Sequence, residues 1–407
     1  MEQELLSEAS ALKDQIISDR RYLHTHAETG FDLKDTKAYV KEQLKQMGYE
    51  PEECGKSGLT VLVGGKKPGK VFMLRADMDA LPIKEEADVE FPSPTGKMHA
   101  CGHDMHTSML LGAARLLKQH EDEIEGTIKL DFQPAEEIFE GSHDMIESGL
   151  LKNPDVDAAL MIHVMTNMPM TPGTVIVCDG GVSAPACDLF TIRIQGKGCH
   201  GSMPNTGIDP VNVAAHTVIA LQELHARELA LVDDAVLTIG TIHAGNAANV
   251  IPDTAELTGT IRTYDEEVRN YIKTRMTEIA EGVAKTFRAN AEVSFGVGCP
   301  TLLNSSELSA DMSKYTKELL GSAKAFTAAQ LNALSGETKP SKAAGSEDFA
   351  FVSQEVPSIM LALAAGLPDQ GYCYPQHHPK AKFDEEVLPA GSAVYAYTAM
   401  RWLQEHK

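Results

Sequence analysis

The sequence predicts an α/β protein in which a mostly parallel sheet, flanked by helices, is interrupted by a smaller α+β insert. Three observations carry this. Short apolar runs alternate with helical stretches through the first part of the chain, the signature of parallel β-α units. Near Pro185 the order changes to strand, helix, strand, strand, helix, strand over roughly one hundred residues, the size of a small separate domain. After Cys299-Pro300 the alternation resumes. The larger domain is therefore expected over 1–185 and 300–407, and the insert over 186–299.

Taken in order, Glu4 to Thr25 reads as a helix, with apolar residues at Leu5, Ala9, Leu12, Ile16 and Ile17. A second helix runs from Leu33 to Met47 and stops near Gly48. Three strands follow, each ending on polar residues. Val71 to Leu74 leads into Arg75-Ala76-Asp77-Met78-Asp79, Thr127 to Phe132 into Gln133-Pro134-Ala135-Glu136-Glu137, and Ala158 to Ile162 into His163. Thr107 to Lys118 has a helical pattern of apolar residues. In the insert, Cys187 to Gln195 alternates as a strand and Pro210 to Glu228 is helical. Ala235 to His243 and Ala255 to Arg262 are strands, Asp265 to Lys285 is a helix, and Ala291 to Phe295 is a strand. Ser358 to Ala364 is a buried strand and Leu388 to Glu405 a closing helix.

Composition narrows the function. The 407 residues carry a net charge of -22, from 58 acids against 36 bases, and no basic run, which argues against a nucleic-acid partner. No apolar run approaches the ~18 residues of a membrane span. The opening MEQELLSEAS has acids where a signal peptide needs bases, so the cytoplasm is the expected compartment. Seven cysteines at scattered spacings, with no CxxC pair, argue against a disulfide framework.

The chemistry concentrates at the strand ends, where parallel sheets gather their reactive groups. In His99-Ala100-Cys101-Gly102-His103-Asp104, Cys101 and His103 stand two apart in a glycine-containing loop. They can bind one metal ion or two adjacent ones; a buried thiol beside loop histidines and a thiol nucleophile paired with His103 are the other readings. In Gln133-Pro134-Ala135-Glu136-Glu137, one carboxylate can bind metal while its neighbour stays free as a base, the division of labour that hydrolysis by activated water requires. Adjacent acids are otherwise usually solvated surface. His163 ends an apolar run, where a lone histidine is more often a core residue, and the same reservation covers the His377-His378 pair. The acids of Arg75 to Asp79 can orient a ligand histidine or cap the amides of a turn. The conjunction of one Cys, one Glu and several His at strand ends weighs more than any single motif.

These segments carry a resemblance. RADMDALP, HACGHD, FQPAEE, GTIHAGNAANVIPDTAELTGTIRT and GSEDFAFV are similar to the M20 metallopeptidase family. The likeness is to its subfamily D, which includes auxin-conjugate hydrolases, hippurate hydrolase-like enzymes and related aminoacylases, and it covers almost the whole chain. It implies two divalent metal ions, such as Zn, Mn, Co or Ni, held by Cys101, His103, Glu137, His163 and a histidine of QHHPK. The pattern H-x-P selects His377, with His378 as the fallback, and Cys101 is the expected bridge. Glu136 matches the catalytic carboxylate and Asp79 the acid that orients the metal site. In the insert, His200 of GKGCHGSMP is expected to polarise the substrate carbonyl, often across a dimer, and Asn249 to hold the substrate. The implied fold is a catalytic α/β domain with a ferredoxin-like satellite that mediates dimerisation. The chain departs from the pattern at Ile138-Phe139-Glu140, where glycines and small residues are usual, and at Cys199, Asn205 and the segment Leu23 to Glu28.

The expected activity is hydrolysis of the amide of an N-acyl amino acid or similar conjugate, with Glu136 as general base. A dipeptidase or carboxypeptidase of the same family, and a metal-binding protein without catalysis, are the alternatives. The expected partners are a small-molecule substrate and a second copy of the chain.

Overall fold

The computed structural model describes residues 2–335 and 345–407. The chain forms two compact units, one of Met1–Gly181, Leu303–Lys342 and Asp348–Lys407, the other of Val182–Leu302 and Ala343–Glu347.

The first unit is built on an eight-stranded sheet. Its order is Glu52–Cys54, Gly58–Gly64, Thr127–Gln133, Val71–Asp77, Ala158–Met165, Ser358–Ala364, Val175–Val177, Ala325–Thr327. The four central strands, Thr127–Gln133 through Ser358–Ala364, are parallel. Antiparallel pairs enter on each side, through Gly58–Gly64 and Val175–Val177. Central parallel strands are covered on both faces, and all seven residues of Val71–Asp77 are buried. One layer contains Lys13–Thr25, His103–Gln119 and Leu388–Glu405, whose apolar residues join those of the sheet in one core. The Ser392 hydroxyl donates to the Met109 carbonyl at 2.9 Å, tying two of these helices together.

A second set of strand side chains is polar and also buried. Arg75 lies beside Asp131 in register, and Lys129, Asp131 and Gln133 alternate along one strand. Lys129 Nζ donates to the carbonyls of Leu150 at 2.7 Å and Lys152 at 2.8 Å. Asp131 is fully buried and its carboxyl makes no hydrogen bond among the described residues. Burial pushes that carboxyl up to about 7, against the pull of Arg75 and Lys129.

The second unit has a four-stranded antiparallel sheet, ordered Ala235–Ala244, Thr254–Thr263, Ala186–Gln195, Asn290–Cys299. One helix follows the first strand in the chain and another the third, the ferredoxin-like arrangement. Asp209 caps Pro210–Ala220 and Asp265 caps Glu266–Thr286, each accepting two backbone amides. Phe190, Ile192, Leu257, Ile261, Ile272 and Met276 form the centre of its core.

Strands run a few residues beyond the apolar runs that mark them, and three helices differ more from the sequence reading. The first helix divides at Leu12 into Glu2–Ala11 and Lys13–Thr25. The helix expected from Thr107 begins at His103, ahead of its apolar stripe. The helix expected to Glu228 ends at Ala220 and gives way to a π-helical turn over Leu224–Glu228. Among the described residues no helix is long and apolar enough to cross a membrane. All seven cysteines are free thiols.

Candidate metal centre

The carboxyl ends of the parallel strands and the first turn of His103–Gln119 bring the polar groups together. Gly102 sits at φ +98, a conformation side chains other than glycine's rarely adopt, and turns the chain from Cys101 into the helix that begins at His103. The Glu136-Glu137 pair lies in a turn bounded by Ala135 and Phe139, both left-handed at φ 55. His377 is left-handed as well, at φ 64. Non-glycine residues in this region are strained and cluster at functional sites. The turn closes by Phe139 N–H donating to Glu136 O at 2.8 Å, and a β-carbon at Gly141 would overlap the Pro134 carbonyl.

Several donor groups form here among the described residues, one of them His103, Glu136 and Glu137, and two of the groups share Cys101. Donor atoms of Cys101, His103 and His163 lie within 4.8 Å of one another, as do those of Cys101, Glu137 and His377. Cys101 Sγ is 3.5 Å from His163 Nε2. His103 Nε2 is 3.9 Å from Glu137 Oε1 and 3.7 Å from Glu136 Oε2, and His377 Nε2 is 3.7 Å from Glu137 Oε2. A tetrahedral ion with bonds of about 2.0–2.3 Å separates its ligands by about 3.4 Å. The donor set therefore fits divalent cations in spacing and in type. His378 is turned to other contacts: its ring stacks on Tyr374 and its Nδ1 accepts the Lys380 amide.

Main-chain groups set the histidine tautomers. His103 Nδ1 meets the Asp79 carbonyl at 2.7 Å, and His163 Nδ1 meets the Val164 carbonyl at 2.7 Å. A carbonyl only accepts, so each Nδ1 carries a proton and each Nε2 faces the cluster. His103 Nε2 is buried and, among the described residues, meets no hydrogen-bond partner in good geometry. Burial, then the neighbouring His106, depress His163 to about 3, which leaves the neutral ring that a ligand requires. Burial and then the Glu137 carboxylate push the Cys101 thiol well up. Burial opposes charge on His103, yet Asp77 and then Cys101 raise it well above the usual range. A cation among these groups replaces such protons.

Asp79 works through two parts of the residue. Its carbonyl holds His103, and its carboxylate accepts the amides of Glu136 at 3.0 Å and Glu137 at 3.3 Å. Beneath lie residues that the sequence reading did not single out. His106 Nδ1 meets Asp77 at 2.6 Å, and its Nε2 accepts the Val164 amide at 2.8 Å, so both ring nitrogens are engaged. Arg75 donates to Asp77 at 2.7 Å, Asp348 at 2.8 Å and Gln133 at 2.9 Å. The one available signal was the charged strand end Arg75 to Asp79, together with His106 one helical turn beyond His103.

His200 and Asn249 belong to the second unit and lie side by side there. Cys199–His200 pairs antiparallel with Val250–Ile251, and Gly201 N–H donates to Asn249 O at 2.8 Å. Both residues are exposed.

The family model described as Peptidase family M20/M25/M40 matches residues 73–401. Thermostable carboxypeptidase 1 of Saccharolobus solfataricus is 36% identical, with 98% of each chain covered. N-acetyl-L-cysteine deacetylase of Bacillus subtilis is 35% identical, over 98% of this chain and 90% of its own. The crystal structure of the Bacillus subtilis YXEP protein, a dinuclear metal binding peptidase from the M20 family, superposes with a TM-score of 0.79. It is 32% identical, over 97% of this chain and 99% of its own. The chain belongs to peptidase family M20/M25/M40 and is a metallo-hydrolase of that family.

Proposed function

We propose that the chain hydrolyses the amide of an N-acyl amino acid or a similar conjugate, working as a homodimer in the cytoplasm. The observation that carries this is the pair of donor groups joined by Cys101 with Glu136 beside them. Cys101, His103, Glu137, His163 and His377 would hold two divalent ions, Zn, Mn, Co or Ni. Such ions supply Lewis acidity and lower the pKa of water. Asp79 holds the Glu136-Glu137 turn through its two amide contacts. Glu136 takes the proton of the attacking water and returns it to the leaving amine. His200 donates a hydrogen bond to the carbonyl oxygen, whose negative charge grows as the carbon becomes tetrahedral. Asn249, beside it, holds the substrate. The free thiols suit a reducing compartment.

A second reading, cleavage of a peptide at its carboxyl end, draws on the name of the Saccharolobus relative. A screen of N-acyl amino acids and dipeptides after loading with each metal separates the two. Two equivalents of metal per chain and preference for N-acyl amino acids are expected; less than one equivalent after loading would overturn the dinuclear reading.

If His200 acts across the dimer, mixing His200→Ala with Glu136→Ala subunits restores activity, because one site of each heterodimer keeps both groups. Up to half the sites recover. No recovery, with exchange confirmed by native mass spectrometry, would place His200 in its own subunit's site or outside catalysis.

A further inference from the structure

We propose that Ser202 is a positioning residue: it fixes His200 in the tautomer that carries its proton on Nε2 and sets the direction in which that proton points. The inference rests on the reading of His200 as donor to the substrate carbonyl.

The backbone of His200 is already pinned. Its residue pairs with Val250, its own carbonyl accepts the Met203 amide at 2.8 Å, and the next amide, Gly201, bonds to Asn249. What remains free is the side chain. On an exposed loop an imidazole turns readily and exchanges partners with water. Ser202 removes that freedom. Its backbone N–H lies 3.2 Å from His200 Nδ1 and its hydroxyl oxygen 2.8 Å from the same atom. The direction of these contacts follows from the amide. A backbone N–H only donates, so Nδ1 presents its lone pair, and the hydroxyl donates to it too. A neutral ring then keeps its single proton on Nε2, at the far side from Ser202.

This is the reverse of the metal-centre histidines. His103 and His163 meet carbonyls at Nδ1 and turn Nε2 to the donor cluster, as ligands require. His200 meets donors at Nδ1 and leaves Nε2 protonated, as a hydrogen-bond donor requires. The same residue type is set for opposite tasks by the group placed next to one nitrogen. Of the two groups facing His200, only the Ser202 hydroxyl can be removed without disturbing the backbone.

The test uses the full-length, zinc-loaded enzyme, its best substrate from the screen, and 15N-labelled histidine, with the His200 signals assigned by their loss in His200→Ala. Ser202→Ala is expected to lower kcat about tenfold with KM changed less than about twofold, a fraction of what complete loss of such a donor costs. The His200 Nδ1 resonance should move part of the way from the unprotonated toward the protonated range, because the longer Ser202 amide contact remains. Ser202→Thr, which keeps the hydroxyl, should restore both. His200→Ala should itself lose about 100- to 1,000-fold in kcat. If His200→Ala keeps the wild-type rate, the reading of His200 falls and the inference with it. If His200→Ala is impaired but Ser202→Ala matches wild type in rate and resonance, the inference alone is overturned. A lower kcat with an unmoved resonance overturns it as well, since the loss would then come from the fold and not from the tautomer.

Discussion

Glu136→Gln is expected to lose about 100- to 10,000-fold in kcat while keeping its metals, the range that a positioned base contributes. Glutamine fills the same space and keeps the backbone amide that Asp79 accepts, but it cannot take a proton. Glu137→Ala is the control beside it. Glu137 lies in a donor group with Cys101 and His377, so its loss should lower metal content first and activity as a consequence. The two neighbours thus separate by readout: metal analysis is normal for one and deficient for the other. A Glu136→Gln enzyme with full metal occupancy and a near wild-type rate would falsify the proposed division of labour.

The second large effect concerns stability. Asp131 is buried with no hydrogen bond among the described residues, and burial raises its carboxyl from 3.8 to about 7. A carboxyl whose pKa is higher in the folded chain contributes stability below its unfolded pKa. That contribution is lost as pH rises through the folded value, here between about 4 and about 7. Arg75, Lys129 and Asp77 are the charges that act on it. From pH 5 to pH 8 the wild type should lose about 3 kcal/mol through this group alone. Asp131→Asn does not ionise, so the variant should become more stable relative to wild type by that amount as the pH is raised. Urea unfolding of both proteins at the two pH values checks it. A relative change below about 1 kcal/mol would mean that Asp131 is solvated or paired in solution.

The buried polar layer explains where sequence reading reached and where it stopped. Val71 to Leu74 and Ala158 to Ile162 were legible as parallel strands because apolar runs mark strands covered on both faces. Lys129, Asp131 and Gln133 alternate with apolar residues, which reads as a strand with one solvated face; in the structure all three are buried. The same rule hid the pairing of Arg75 with Asp77 and Asp348, since charged residues are rarely buried unless paired and pairing across the chain has no local signature. Cys101, His103, Glu137, His163 and His377 come from separate strand ends and loops; their recurrence at strand ends points to one site, and the full set of five follows only from the family resemblance. The acid of Asp79 is expected to orient a histidine or cap a turn; in the structure its carboxylate accepts the turn amides, and the contact to His103 comes from its backbone carbonyl instead. The helix expected to reach Glu228 shortens because its last residues bond in another pattern: Leu224–Glu228 is π-helical and the Leu229 amide closes on Leu224 O.

The tautomers of His103 and His163 have a further consequence. Both rings are anchored to carbonyls of the chain, on elements packed into the main apolar core. The orientation of these two rings is thus set by main-chain carbonyls on elements of the apolar core. A chain built in this way is expected to fold without the ion, unlike small domains that are unfolded until metal arrives. Uptake then needs little rearrangement, and added metal raises the melting temperature only by mass action, in step with the free ion concentration.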